Sequence, residues 1–139
     1  MTRSLRHLSR EQCFALLGEE QVGRVSVSMG ALPAILPMSY ALMDGDIVLR
    51  AAAGTKLTAA LINSVVGFEV DRIENDPTAG WSVLVFGHAS EITGPDALHE
   101  ARKLPLESWA TDGHDHYIKI RTEIVSGRAV GLPEDRDDL

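Results

Sequence analysis

The sequence predicts a β-rich α+β domain, a closed or split antiparallel β-barrel with a few short helices. Three observations predict it. Short apolar alternations recur along the chain, as at Val25 and Val27 or at Val83 and Val85, and a period of two marks a strand with one buried face. Turn signals separate these runs, the strongest being Asp44-Gly45, a pair suited to a two-residue hairpin. Stretches with helical spacing are few and short. Periodicity alone fits other α+β folds as well.

The elements follow in order. Ser9 opens a first helix, with Gln12 three residues later as a capping box requires. Cys13, Phe14, Leu16 and Leu17 form its apolar stripe, and Gly18 marks the stop. Val22 to Met29 alternates as a strand ending at Gly30. Ala31 to Met43 is a longer extended run interrupted by Pro33 and Pro37. After the Asp44-Gly45 turn comes a short strand, Asp46 to Arg50. Leu57 to Ile62 is helix material, closed by Asn63 and Ser64. Val65 to Ile73 reads as a strand, followed by a turn at Glu74-Asn75-Asp76-Pro77. Trp81 to Thr93 is the longest strand, with Gly87 marking a bulge or bend. Gly94-Pro95-Asp96 starts a short helix toward Leu106, and Tyr117 to Val130 is the last strand.

The 139 residues make one ordinary domain with one core. Residues 1–131 are assigned to that domain and the acidic segment 132–139 to a flexible tail. Apolar residues at 45% and charged residues at 24% match soluble globular chains. The net charge of −7 argues against a nucleic-acid partner, while leaving room for one small anion in a local basic pocket. Cys13 is the single cysteine, which excludes an intrachain disulfide and a Cys-based metal cluster and fits a reducing compartment. It reads as a small core residue, since no redox motif surrounds it. The N-terminal MTRSLRHLSREQ lacks the apolar core of a signal peptide. No apolar run nears the roughly 18 residues of a membrane helix. A cytoplasmic protein without membrane contact is expected.

The segment from Asp46 to Lys56, DIVLRAAAGTK, carries the most chemistry. A strand ends in Arg50, a small-residue loop follows, and a helix starts at Thr55-Lys56. Free backbone N–H groups at the helix start, the Thr55 hydroxyl and the charges of Arg50 and Lys56 can cradle one phosphate. The glycine spacing of a Walker loop is absent. The plain alternative is that Thr55 is only a cap while Arg50 and Lys56 are solvated.

From about Leu8 to Gly131 the chain resembles the pyridoxamine 5′-phosphate oxidase-like, FMN-binding split barrels, particularly their short actinobacterial type. The pieces that carry this are, in order, VGRVSV, LPMSYAL, IVLRAAAGTKLTAAL, VVGFEVDRI, GWSVLVFGHASEIT and YIKIRTEIVSGRAV. The resemblance implies an antiparallel Greek-key split barrel, an FMN-dependent oxidoreductase and a homodimer with FMN across its interface. It implies that Arg50, Thr55 and Lys56 hold the phosphate, and that Leu36, Pro37, Met38 and Ser39 run along the isoalloxazine. It also implies that Trp81 and Ser82 approach the flavin, from the partner subunit, and that Trp109 closes over the site. Met38 and Trp81 are equally readable as core or dimer-contact residues, and Trp109 as a loop plug. The C-terminal substrate-phosphate motif of true pyridoxamine-phosphate oxidases is not recognisable here, and Arg121 and Arg128 do not recreate it. Vitamin B6 oxidation is therefore not implied.

His114-Asp115-His116 reads as a solvated loop, because two histidines lack further ligands at a metal-site spacing. No metal is expected. His88 is read as structural or surface. No nucleophile–base motif surrounds Ser26, Ser28 or Ser39, and a flavin supplies its own electron chemistry. Two other readings remain open: a reductase using the deazaflavin coenzyme, whose longer anionic tail needs a wider basic groove, and a non-enzymatic protein that holds flavin or haem.

Overall fold

Local chemistry fixes several element ends. In the computed structural model, which describes residues 5–76, 78–107 and 115–131, the first helix begins with the expected capping box. The Gln12 N–H donates to Ser9 Oγ at 3.1 Å and the Ser9 N–H donates to Gln12 Oε1 at 2.8 Å. Asp44 and Gly45 both take positive φ, 53° and 82°, the conformation that turns a tight hairpin with the right twist.

The elements run β1 (Leu5–His7), α1 (Arg10–Leu17), β2 (Val22–Met29), β3 (Leu32–Met43), β4 (Asp46–Ala52), α2 (Lys56–Leu61), β5 (Ser64–Ile73), β6 (Gly80–Glu91), α3 (Pro95–Arg102), β7 (Asp115–Ile120) and β8 (Ile124–Val130). The strands are ordered β1-β8-β6-β5-β2-β3-β4-β7, and β6 also pairs with β7. That last pairing closes a six-stranded antiparallel barrel, β6-β5-β2-β3-β4-β7, from which β8 and β1 extend as a flap. Within it β2, β3 and β4 form a meander and β5 returns beside β2, which is a Greek key. Among the described residues, no helix is long and apolar enough to cross a membrane.

The barrel interior holds the main core. Val25, Ile47, Leu49, Phe68, Val83, Val85, Ile118 and Ile120 point inward, and Leu16, Leu17 and Leu61 of the helices plug it. A smaller apolar cluster of Val48, Ile92, Ala101 and Leu106 packs separately, with Leu98 of α3 and Tyr117 of β7 against it. Cys13 is fully buried, and its Sγ lies 2.6 Å from where a Cβ on Gly127 would stand. Only a glycine on β8 lets α1 sit this close.

The structure departs from the sequence reading in three places. Tyr117 to Val130 is not one strand but two, β7 and β8, broken at Arg121–Glu123. β6 is the reason. Its start pairs with β8 and its end with β7, and the branch falls at Gly87. A Cβ at Gly87 would lie 1.6 Å from the Arg121 carbonyl oxygen, and the Arg121 N–H donates to the His88 carbonyl at 3.1 Å. The backbone crossing there needs a bare Cα. Second, Pro33 and Pro37 do not interrupt their run, because β3 pairs with β4 only from Tyr40 onward. The prolines sit where that side of the strand has no partner strand among the described residues. Third, Leu5–His7 forms a short strand on β8 that the sequence did not announce. The tail 132–139 lies outside the described residues.

Candidate functional site

The cleft begins where two strands part. The β3–β4 ladder runs from Met43–Asp46 to Tyr40–Leu49 and stops. Beyond it β4 stays with β7, with Arg50 opposite Tyr117 and Ala52 opposite Asp115. Leu36, Pro37, Met38 and Ser39 of β3 therefore form one wall of a cleft of about 260 Å³, and Arg50, Ala51 and Ala52 form the other. Thr55, Leu57 and Thr58 close its end.

Hydroxyl groups hold that end in shape. The buried Thr58 hydroxyl donates to the Ala52 carbonyl at 2.6 Å. The Thr55 hydroxyl lies 2.9 Å from Thr58 Oγ1 and, as the cap of α2, accepts from the Thr58 N–H at 3.0 Å. The loop of small residues is thus tied at both ends to the helix start.

Arg50 is held from the other side. Its Nε donates to Asp115 Oδ2 at 2.6 Å, its Nη1 reaches the Leu106 carbonyl at 3.5 Å, and its guanidinium lies 5.8 Å from the centre of the Tyr117 ring. The Asp115 side chain is only 4% exposed and that of Arg50 29%, so this ion pair is oriented rather than solvated. Among the described residues no carboxylate lines the cleft, in a chain whose net charge is −7. Apolar walls, hydroxyls and one oriented cation suit a flat aromatic group ending in an anion.

The structure brings together Leu36, Pro37, Met38, Ser39, Arg50 and Thr55. Lys56 is the first residue of α2, exposed and beside the cleft rather than lining it. Trp81 and Ser82 are not in this cleft. They line another of about 580 Å³ on the outer face of β5, β6 and β8, with Glu69, Asp71 and Arg128. Trp81 is buried in the core, and its Nε1 has no hydrogen-bond partner among the described residues. Trp109 and His114 lie outside the described residues. His116 Nδ1 pairs with Glu91 Oε1 at 3.0 Å, and no metal-holding group of His, Cys, Asp or Glu occurs among the described residues.

Two participants escaped the sequence reading. Thr58 had a local signal, since Thr55-x-x-Thr58 repeats a hydroxyl one helical turn on. Asp115 had none, because 65 residues separate it from Arg50; the sequence reading put it in a solvated loop, whereas it opens β7 with its side chain 4% exposed.

This split barrel and its cleft define a class of cofactor-binding domains, and comparison with known proteins gives the family. A model of the pyridoxamine 5′-phosphate oxidase family matches residues 9–129. The chain belongs to that family. An uncharacterised protein of Mycobacterium tuberculosis is 32% identical over 90% of this chain and 85% of its own. Among solved structures, an FAD-binding protein from Mycobacterium smegmatis is similar at a TM-score of 0.78 and 30% identity, covering 88% of this chain and 98% of that one. A conserved protein of unknown function from Corynebacterium diphtheriae is similar at a TM-score of 0.76 and 29% identity, covering 90% and 97%. The fold and family expected from the sequence are those observed.

Proposed function

We propose that this protein is a flavin-dependent oxidoreductase that binds the FMN moiety in the β3–β4 cleft and works as a homodimer. The observation that carries this reading is the parting of β3 from β4, which sets Leu36–Ser39 opposite Arg50 and Thr55 in a cleft that no carboxylate lines among the described residues. The relative from M. smegmatis described as FAD-binding supports a flavin.

The chain's own residues do the following in this reading. Arg50, oriented by Asp115, and the Thr55 loop seat the phosphate, with Lys56 adding charge from the rim. The backbone of Leu36–Ser39 meets the polar edge of the ring, and Met38 and Leu57 exclude water from one side of it. When bound, the flavin supplies hydride transfer between a reduced donor and a small acceptor. Among the described residues none around the cleft forms a nucleophile–base pair, so the protein's part is to bind, orient and shield.

A second copy completes the site. The cleft, at about 260 Å³, is smaller than the ~300–1,000 Å³ of ligand sites. Trp81 is turned into the core, whereas Ser82 is turned outward on β6. In a homodimer Ser82 would reach the partner's cleft.

Mass spectrometry of the small molecule that copurifies, with absorbance of the purified protein, tests the reading. A yellow protein releasing a flavin is expected. A colourless protein that binds added deazaflavin coenzyme and no flavin overturns the choice of cofactor. Bound flavin without turnover of reduced nicotinamide against any acceptor overturns the enzyme.

A further inference from the structure

Two carboxylates share one cation on the outer face of the barrel. Glu69 and Asp71 alternate with buried Val70 on β5, so both leave the same side of the sheet. Nη1 of Arg24 on β2 donates to Glu69 Oε1 at 3.3 Å and to Asp71 Oδ2 at 3.2 Å. This cluster carries one negative charge when both acids are ionised and none when one of them holds a proton. The Glu69 side chain is 33% exposed and that of Asp71 25%, so water screens the charge only in part.

The surrounding elements do not cancel that charge. Outward from β6 come Ser82 opposite Asp71 and Leu84 opposite Glu69. On β8 stand Ser126 and Arg128, and Arg128 faces His7 of β1. Arg128 and His7 share a space of about 400 Å³ with Glu69. Arg128 is nevertheless two strands from Asp71, roughly 10 Å of sheet, with Ser82 between them. On β3, Pro37 lies opposite Arg24. Among the described residues Arg24 is the one cation that pairs with either acid. Burial first, then the hydrogen bond and charge of Asp71, raise the Glu69 carboxyl to about 7 against the pull of Arg24. The cluster also borders apolar surface: Ile35, 68% exposed, and Gly67 line one shallow space of about 280 Å³ with Arg24, Glu69 and Asp71.

We propose that the homodimer is proton-linked: a second copy of this chain docks on this face with Glu69 protonated and is released as Glu69 ionises. The proposal rests on the homodimer reading above and adds its regulation. A two-fold contact sets the same face of both copies against itself, so one interface encloses two such clusters. With Glu69 ionised, each cluster brings an unbalanced negative charge out of water, which is costly. With Glu69 neutral, Asp71 is matched by its own Arg24 and the apolar side chains beside it close. Glu69 then holds its proton more tightly in the dimer than in the monomer. Dissociation releases protons, so the dimer is tight at low pH and weakens as pH rises through about 7.

Fluorescence-detected sedimentation of the purified protein as isolated, from nanomolar to micromolar concentration and at constant ionic strength, tests this. Wild type, Glu69→Gln, Asp71→Asn and His7→Gln are compared. The wild-type dissociation constant is expected to rise at least about tenfold between about pH 6 and about pH 8, since each released proton is worth up to tenfold per pH unit. Glu69→Gln is neutral throughout and should give a tight dimer with a flat profile. Asp71→Asn leaves an ionised Glu69 matched by Arg24 and should flatten the profile as well, which covers the case that one of the two variants fails to fold. His7→Gln should keep the wild-type profile. A dimer equally persistent at every pH, a profile unchanged in both acid variants, or one lost in His7→Gln overturns the proposal alone. A wild type that stays monomeric at every pH and concentration overturns the homodimer reading and the proposal with it.

Discussion

Glu69 and Asp71 stand two residues apart on β5, both reaching one nitrogen of Arg24, at 3.3 and 3.2 Å. One guanidinium nitrogen does not neutralise two carboxylates. Burial first, then the hydrogen bond and charge of Asp71, push the Glu69 carboxyl from the usual 4.5 up to about 7, against the pull of Arg24. The folded chain therefore holds a proton that the unfolded chain has released. The stability this group contributes is fully present below about pH 4.5 and is lost as pH rises through about 7. Urea midpoints across this window should drop in the wild type and vary less in Glu69→Gln, and parallel curves would show that another group is responsible. At the cleft, Lys56 is the charge to test. Because it is exposed on the rim, its loss should cost less than the roughly 2–5 kcal/mol of a buried pair. Lys56→Ala should weaken FMN by about tenfold, or about 1.4 kcal/mol, and riboflavin, which lacks the phosphate, far less. Equal losses for both ligands would remove Lys56 from the phosphate site.

Elements differ in how openly the sequence declares them. The capping box of α1 and the Asp44-Gly45 hairpin were legible because their chemistry lies within four residues. The division of β7 from β8 was not. Ile118, Ile120 and Ile124 keep an even spacing across the break, so periodicity reads one strand, while the cause sits more than thirty residues away at Gly87. Gly87 itself was noticed, but a glycine in a strand does not say which backbone approaches it. The same contrast divides the cleft: the residues of DIVLRAAAGTK could be singled out locally, whereas their partner Asp115 could not. Gly87→Ala tests the branch point. Its Cβ meets backbone rather than a movable side chain, so a loss of about 3 kcal/mol or more is expected in chemical denaturation. A variant of wild-type stability would show that the crossing can shift.

On the whole molecule, the homodimer proposed above would use the barrel's outer face. Cross-strand pairing aligns Ile35, Ser26, Gly67, Phe86 and Ile124 in one row over β3, β2, β5, β6 and β8. Ile35 is 68% exposed and Ile124 64%, and the Phe86 ring lies over Gly67. Exposed Ile35, Phe86 and Ile124 share this row, interrupted by Ser26 and Gly67, and in the proposed homodimer a two-fold axis through it would bury them. Light scattering should give about twice 15.1 kDa. Ile124→Glu should yield a folded monomer with little bound flavin, and a flavin-saturated monomer would separate the site from the interface.

The unpaired stretch of β3 has a second consequence. A barrel normally hides its strand edges, yet here Leu32 to Ser39 leaves one open, and an open edge invites another chain to add a strand and begin aggregation. Pro33 and Pro37 cannot donate to such an intruder and break the regular ladder it would need. In the reading proposed above, the backbone beside Pro37, in Leu36–Ser39, would still meet a heterocycle that needs only one or two hydrogen bonds. The edge is thus closed to a neighbour's strand, so replacing these prolines would endanger solubility before it touched the fold.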